Sequence, residues 1–413
     1  MTHLLLRDRF GRGQFLLRLG SIAGTLAFGG VLARSAGAVE TRSSASHLSE
    51  GGNTTGSYVP GGESHFLASD SPEVISWGFL PNRDAEPVMT VKSGDLVTME
   101  QISHEGILPD QGDPYSFFAN RGVPREEILD DQLMVYEEIE QLGEGPHVVT
   151  GPVAVEGAEP GDWLEVRCLD VLPRVAYGVN SSRHGRGSLP EEYPLEGKEY
   201  YGNLIQFDLE RNVGLFPAGY GIEVPLNPFM GIVGVAPDTS EQVNSVPPGI
   251  YGGNLDIKRL MAAGTTAFYP VQVPGALLYT SDGHSAQGNG EVSLTAIESS
   301  LTPTFQVILH KQERLEEERV PLLKNPWGET GDAYIVTGID EDLDEAMKEA
   351  VRETVSFLSQ TKELRPEDAY SLASIGIDFE VSQVVNMTKG VHAVIHKDLF
   401  PEGRAHPPTC QGH

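Results

Sequence analysis

Apolar residues along this chain recur mostly at strand spacing. Val88–Ile102 (VMTVKSGDLVTMEQI) and Asp162–Pro173 (DWLEVRCLDVLP) alternate, or run apolar with β-branched residues, behind Gly-Asp turns, which predicts strands. Their shared entry, Gly-Asp followed by alternating apolar residues, reads as a common strand-entry turn and not as a repeat. The pattern resumes over 268–281 (FYPVQVPGALLYTS), over 291–310, and in a closing pair at 379–386 (FEVSQVVN) and 391–400 (VHAVIHKDLF). Helical spacing is strong once, over Asp340–Gln360. There Leu343, Met347, Ala350, Thr354 and Leu358 share a face and Asp340 or Asp342 caps the start. Pro366 opens a second, short helix toward Ser374, ended by Gly376. Residues 105–145 and 177–202 are polar and loop-like, the first with a short helix around Glu126–Gln141. Strands do not alternate with helices, so a doubly wound parallel sheet is disfavoured. The predicted fold is mainly β with additional C-terminal α-helices.

Composition narrows the partners. The chain has 413 residues, 47 Gly and 28 Pro, which suits many turns and argues against a helical bundle. Its 59 acids against 29 bases give a net charge of −30, so no cationic surface is present for nucleic acid or for an anionic membrane. Residues 1–38 read as an export signal: Arg7, Arg9 and Arg12 lead, an apolar run follows from Leu19 to Leu32, and Ala36-Gly37-Ala38 offers a cleavage site. The run is shorter than the ~20 residues of a spanning helix. RGQFLLRLG (Arg12–Gly20) resembles a twin-arginine signal with Gly13 in place of the second arginine, which leaves the twin-arginine and general secretory routes both open. Five Arg and one Asp in 1–38 carry +4, so cleavage takes −30 to −34. The expected product is a periplasmic or extracellular protein with no stable membrane association. Residues 39–62 form a Ser/Gly/Thr-rich flexible linker and 405–413 a tail. The two cysteines, Cys168 and Cys410, have no metal or redox spacing, and Cys168 reads as a core residue.

Chemistry is sought among polar residues at strand ends, because Walker A, Rossmann, G-x-S-x-G and H-E-x-x-H sequences are all missing. LLYTSDGHSAQGNGEVSLTAIES (Leu277–Ser299) places Asp282, His284, Gln287 and Glu291 on one short loop, where turn formation alone needs neither His nor Gln nor Glu. GNLDIKRL (Gly253–Leu260) presents Asn254, Asp256 and Lys258. GPHVVTG (Gly145–Gly151) presents His147 and Thr150, and VTMEQISHEG (Val97–Gly106) presents Glu100 and His104. Singly each has a structural reading; Asp256, for example, suits a helix N-cap. Together they make a His/Asp/Glu set suited to zinc or another divalent cation.

Three blocks, Gly145–Val171, Gly252–Ser299 and VSQVVNMTKGVHAVIHKDLF (Val381–Phe400), resemble the acetamidase/formamidase family, collinearly from about His65 to Phe400. The resemblance implies a domain over 63–404 of β-sandwich type, hydrolysis of small aliphatic amides to carboxylate and ammonia, a divalent metal, and a homo-oligomer. The expected metal is zinc, with calcium as the alternative. MEQISHEG (Met99–Gly106) departs from the acidic T-x-D-like segment of the family, and Glu105–Gly145 looks rearranged. If that region lines the pocket, the substrate differs from formamide or acetamide.

In the resulting expectation Asp282 and His284 join His147, Asp256 or Glu100 around one metal. Glu291 shuttles the proton, and Gln287 and Asn254 orient the carbonyl or the ligands. Two rivals share the scaffold: a hydrolase of another C–N substrate, such as a larger or cyclic amide, and a binding protein that holds a small amide without cleaving it.

Overall fold

Two large sheets carry the core, and the strand patterns explain their placement. In the computed structural model, which describes residues 60–401 apart from 218, Trp163–Pro173 is a strand with Leu164, Val166 and Cys168 buried on one face. It is an interior strand of a nine-stranded sheet, paired antiparallel with Leu301–His310 on one side and Thr265–Pro270 on the other. The second sheet has six strands. Leu278–His284 lies at its centre, between Phe229–Gly234 and Val148–Val155. All seven residues of Leu278–His284 are buried, as expected where both faces are covered. Side chains of both sheets meet in one apolar cluster, which includes Leu164, Val166, Phe305 and Val307 from the first and Val153, Met230, Val233 and Leu278 from the second. Cys168 belongs to that cluster, and burial pushes its thiol pKa well up, as suits a packing residue.

The helix Leu343–Lys362 begins where its cap was expected, with the Asp342 carboxylate accepting from the backbone N–H groups of Asp344 and Glu345 at 2.9 and 3.2 Å. Its buried face differs by one position from the predicted one. Ala346, Ala350, Thr354, Phe357 and Leu358 are buried, whereas Met347 is 38% exposed. The cause lies across the contact. Gly338, on the adjacent strand Ala333–Asp340, approaches so closely that a Cβ there would sit 2.1 Å from the Ala350 nitrogen. Only small side chains fit at that crossing, so alanines face in and methionine turns out. A second helix follows at Pro366–Gly376.

One segment expected as a loop is part of a sheet, and the short helix expected around Glu126–Gln141 is found at Asp130–Glu138. Tyr177–Arg183 and Tyr200–Asp208 pair antiparallel within a separate four-stranded sheet. Residues 105–145 hold helices Pro114–Ala119 and Asp130–Glu138. The export signal, most of the linker and the tail lie outside the described residues. Among the described residues no helix is long and apolar enough to cross a membrane.

Candidate active site

The polar strand ends converge. Leu278–His284 runs antiparallel to Val148–Val155, which brings His147, just before the start of one, beside Asp282 near the end of the other. Phe229–Gly234 flanks it on the opposite side and passes directly beneath the acids. A Cβ on Gly231 would lie 2.4 Å from Asp256 Oδ1 and 2.8 Å from Asp282 Oδ2. Glycine at that position is what leaves room for the cluster. Asp256, Asp282 and Glu291 all have left-handed backbones, with φ of 51°, 59° and 47°. Non-glycine residues are uncommon there and collect at functional sites, where the surrounding structure holds the strain. Asp256 therefore caps no helix: the short helix Lys258–Met261 starts after Ile257 and receives no side-chain cap.

Asp282 is the hub. Its Oδ1 is 3.7 Å from His104 Nδ1, and its Oδ2 is 3.7 Å from His147 Nε2 and 3.1 Å from His284 Nε2. His284 Nε2 also faces Glu298 Oε1 at 3.2 Å and Glu291 Oε1 at 3.9 Å, while Asp256 Oδ1 lies 3.8 Å from its Nδ1. Glu298 arrives through an isolated antiparallel bridge to His284, on the segment that also bridges Val179. Each of two imidazoles has one nitrogen engaged behind the site. His284 Nδ1 donates to Gln287 Oε1 at 2.9 Å, and His147 Nδ1 meets Ser245 Oγ at 2.9 Å. That leaves both Nε2 atoms directed at Asp282, the arrangement by which proteins orient metal-binding histidines.

The expected residues divide as follows. Asp282, His284, Asp256, His147 and Glu291 come together. Asn254 lies at the same cavity, its Nδ2 donating to the Val246 carbonyl at 3.0 Å and its Oδ1 buried without a partner. Gln287 does not reach the cavity lining. Its Nε2 donates to the carbonyls of Asp256 and Ser382 at 3.0 and 3.3 Å, so it positions His284. Glu100 is a correction: its carboxylate lies outside the cluster, 3.4 Å from Arg174 Nη2 and 3.4 Å from the Ser69 nitrogen. The strand ends at Met99, so strand alternation no longer fixes where Glu100 and His104 point.

His104 and Glu298 are the residues that sequence reasoning missed as ligands. His104 is fixed by its neighbours: the Ser103 nitrogen donates to Ser300 Oγ at 2.9 Å, and Gln132 Nε2 donates to the carbonyls of Ser103 and Glu105 at 2.9 and 3.1 Å. Glu298 had one signal, a single acid inside the apolar run TAIES. Asn386, also unforeseen, donates to the Asn254 carbonyl and to Asp256 Oδ2.

Burial sets the electrostatics. It pulls the pKa values of His104 and His147 down to about 4, so both imidazoles are neutral at pH 7 and able to bind a cation. Burial raises Asp256 to about 7 and moves Glu291 and Glu298 well above the usual carboxylate range. It acts in the same sense on Asp282, but the charges of His284 and His147 outweigh it and hold that carboxylate low. His284 is raised against burial by Glu298 and Asp282.

These residues fit a divalent cation. Three donor sets have their ligand atoms within 4.8 Å of one another: His104, His147 and Asp282; Asp282, His284 and Glu298; and Asp256, His284 and Glu291. Asp256 Oδ1, Asp282 Oδ1 and His284 Nε2 are buried with no hydrogen-bond partner, a costly state that a bound ion would relieve. The carboxylates of Asp256, Asp282, Glu291 and Glu298, gathered in one buried cluster, also call for a positive charge among them. The donor set, imidazole with carboxylate oxygen, is one that divalent metals take.

The family follows from comparison with known proteins. Residues 137–243 and 239–401 match the Acetamidase/Formamidase family, and the chain belongs to it. A candidate formamidase of Schizosaccharomyces pombe is 30% identical over 197 residues, which are 36% of this chain and 47% of that protein. An acetamidase of Mycolicibacterium smegmatis is 28% identical over 200 residues, 36% of this chain and 49% of the relative. The alignments thus span about half the length of these relatives. The crystal structure of an acetamidase from Bacillus halodurans, 28% identical, superposes with a TM-score of 0.63 over 81% of this chain and 98% of the other. The mainly β architecture is shared with that structure.

Proposed function

We propose that this chain hydrolyses carboxylic amides to carboxylate and ammonia at the Asp282 cluster, on two large sheets packed as a sandwich, with a divalent cation held by its His and Asp/Glu side chains. The observation that carries this reading is the convergence of buried, partnerless donor atoms at the floor of a single cavity. Membership of the family supports amide as the substrate. Zinc is the proposed metal. Export through residues 1–38 and self-association belong to the same proposal.

A cation bound here would polarise the amide carbonyl and lower the pKa of a bound water to about 7. His104, His147, Asp282 and His284 are the residues placed to hold it, with Gln287 and Ser245 keeping two imidazoles in register. Asn254, a lining residue whose amide nitrogen is tied to Val246, keeps a buried Oδ1 without a partner as the acceptor for an N–H of the substrate amide. Glu291 lines the same cavity and moves the proton. It takes a proton from the attacking water and returns it to nitrogen as the C–N bond breaks and the C–O bond forms. The products are a carboxylate and ammonium.

Ammonia release from a panel of primary amides, measured with and without chelator, tests the proposal. Turnover should vanish on chelation and return with zinc. A metal-free protein that still releases ammonia would overturn the metal assignment. An amide that binds yet never releases ammonia would replace the enzyme by a binding protein.

A further inference from the structure

We infer that the amide accepted by this site carries an acyl chain longer than acetyl, about four carbons and uncharged. This rests on the amidase reading and names its substrate class.

The cavity above the Asp282 cluster has a volume of about 250 Å³. At roughly 30 Å³ for each water-sized group, it holds about eight such groups. A cation and its bound water leave space for about six, whereas acetamide has only four non-hydrogen atoms and formamide three. Most of the exposed lining is apolar, and Leu108, Pro109, Pro146, Val246, Leu294 and Val385 contribute to it beside the polar residues. Ligand sites are built this way, with apolar walls and a few placed polar groups. A substrate as small as formamide would leave those walls in contact with water.

Two features tie the walls to the chemistry. Leu294 has a φ of 111°, a conformation that non-glycine residues rarely adopt, and its N–H donates to the Glu291 carbonyl at 3.1 Å. One turn therefore sets Glu291 on the floor and an aliphatic side chain on the wall. Leu108 and Pro109 come from the rearranged segment of the sequence, which does line the pocket. The rim does not select an anion. Arg183 is already engaged by Asp110 and Glu105, and the other cation of the lining, Arg186, shares the cavity with the carboxylates of Asp110 and Glu144.

The test is kcat/KM for acetamide, butanamide, hexanamide and succinamate with the metal-loaded full chain. Burying a methylene favours binding about fourfold, so butanamide, with two more, should exceed acetamide by roughly fifteenfold. Val385→Phe should narrow the channel and cut the butanamide-to-acetamide ratio at least tenfold. Leu294→Ala should widen it and move the optimum toward hexanamide, so the inference stays testable if the first variant folds poorly. Acetamide turnover with a flat or falling series, a preference for succinamate, or ratios unmoved by both variants would overturn the chain-length inference and leave the amidase intact. No ammonia from any amide would remove the amidase reading and this inference with it.

Discussion

Asp282→Asn should abolish metal retention and lower amide turnover about 10³-fold or more, while the protein remains folded. Asp282 is the one carboxylate shared by two of the donor sets, and it faces three imidazoles at 3.1 to 3.7 Å. Asparagine keeps the shape of the side chain and tolerates the left-handed backbone at φ 59°, so the backbone has no reason to move. What changes is the charge that offsets the cation and one ligand oxygen. Metal content by mass spectrometry, turnover and circular dichroism on the same preparation read the three consequences separately. A folded Asp282→Asn protein with its metal and its turnover intact would remove Asp282 from the centre of the site.

Arg183→Met should cost about 3–5 kcal/mol of stability, because it strands a buried carboxylate. The Glu105 side chain is fully buried, and Arg183 is its counter-charge, with Nη1 3.0 Å from Glu105 Oε1. The same guanidinium reaches Asp110 Oδ2 through Nε at 2.6 Å, so it joins the strand Tyr177–Arg183 to the 104–111 loop. Ser181 Oγ adds a hydrogen bond to Glu105 at 2.8 Å. Because Glu105 follows His104 directly, this ion pair also holds one imidazole of the site in place. Urea unfolding measures the loss. Adding Glu105→Gln to Arg183→Met should recover most of it, since the stranded charge is then gone. An unfolding midpoint that does not move in Arg183→Met would show that the pair contributes nothing.

Much of the site was legible in the sequence because its chemistry conflicts with its local surroundings. Asp282 and His284 stood out because a turn needs neither an imidazole nor a second acid; they were expected on a short loop and lie instead at the end of the buried strand Leu278–His284. Asp256 and Glu291 stood out as acids among small residues. His104 and Glu298 escaped because strand parity could not be followed to them. Past Met99 and again between Glu291 and Leu301 the chain is irregular, so alternation no longer tells which way a side chain points. Glu100 was misplaced for the same reason. The pair Tyr177–Arg183 and Tyr200–Asp208 was hidden by composition: Asn, Ser and Gly are poor strand formers, and both strands are only partly covered. The rotated helix face reflects a contact absent from any local pattern. Hydropathy favours Met347 over Ala346, but Gly338 brings the backbones too close for the larger residue.

Anomalous diffraction at the zinc edge, on crystals of the metal-loaded protein, tests the central claim most directly. The account predicts an ion within about 2.0–2.2 Å of Asp282 and of at least one of His104, His147 and His284. An ion bound only at the surface, with ordered water in the Asp282 cluster, would contradict it.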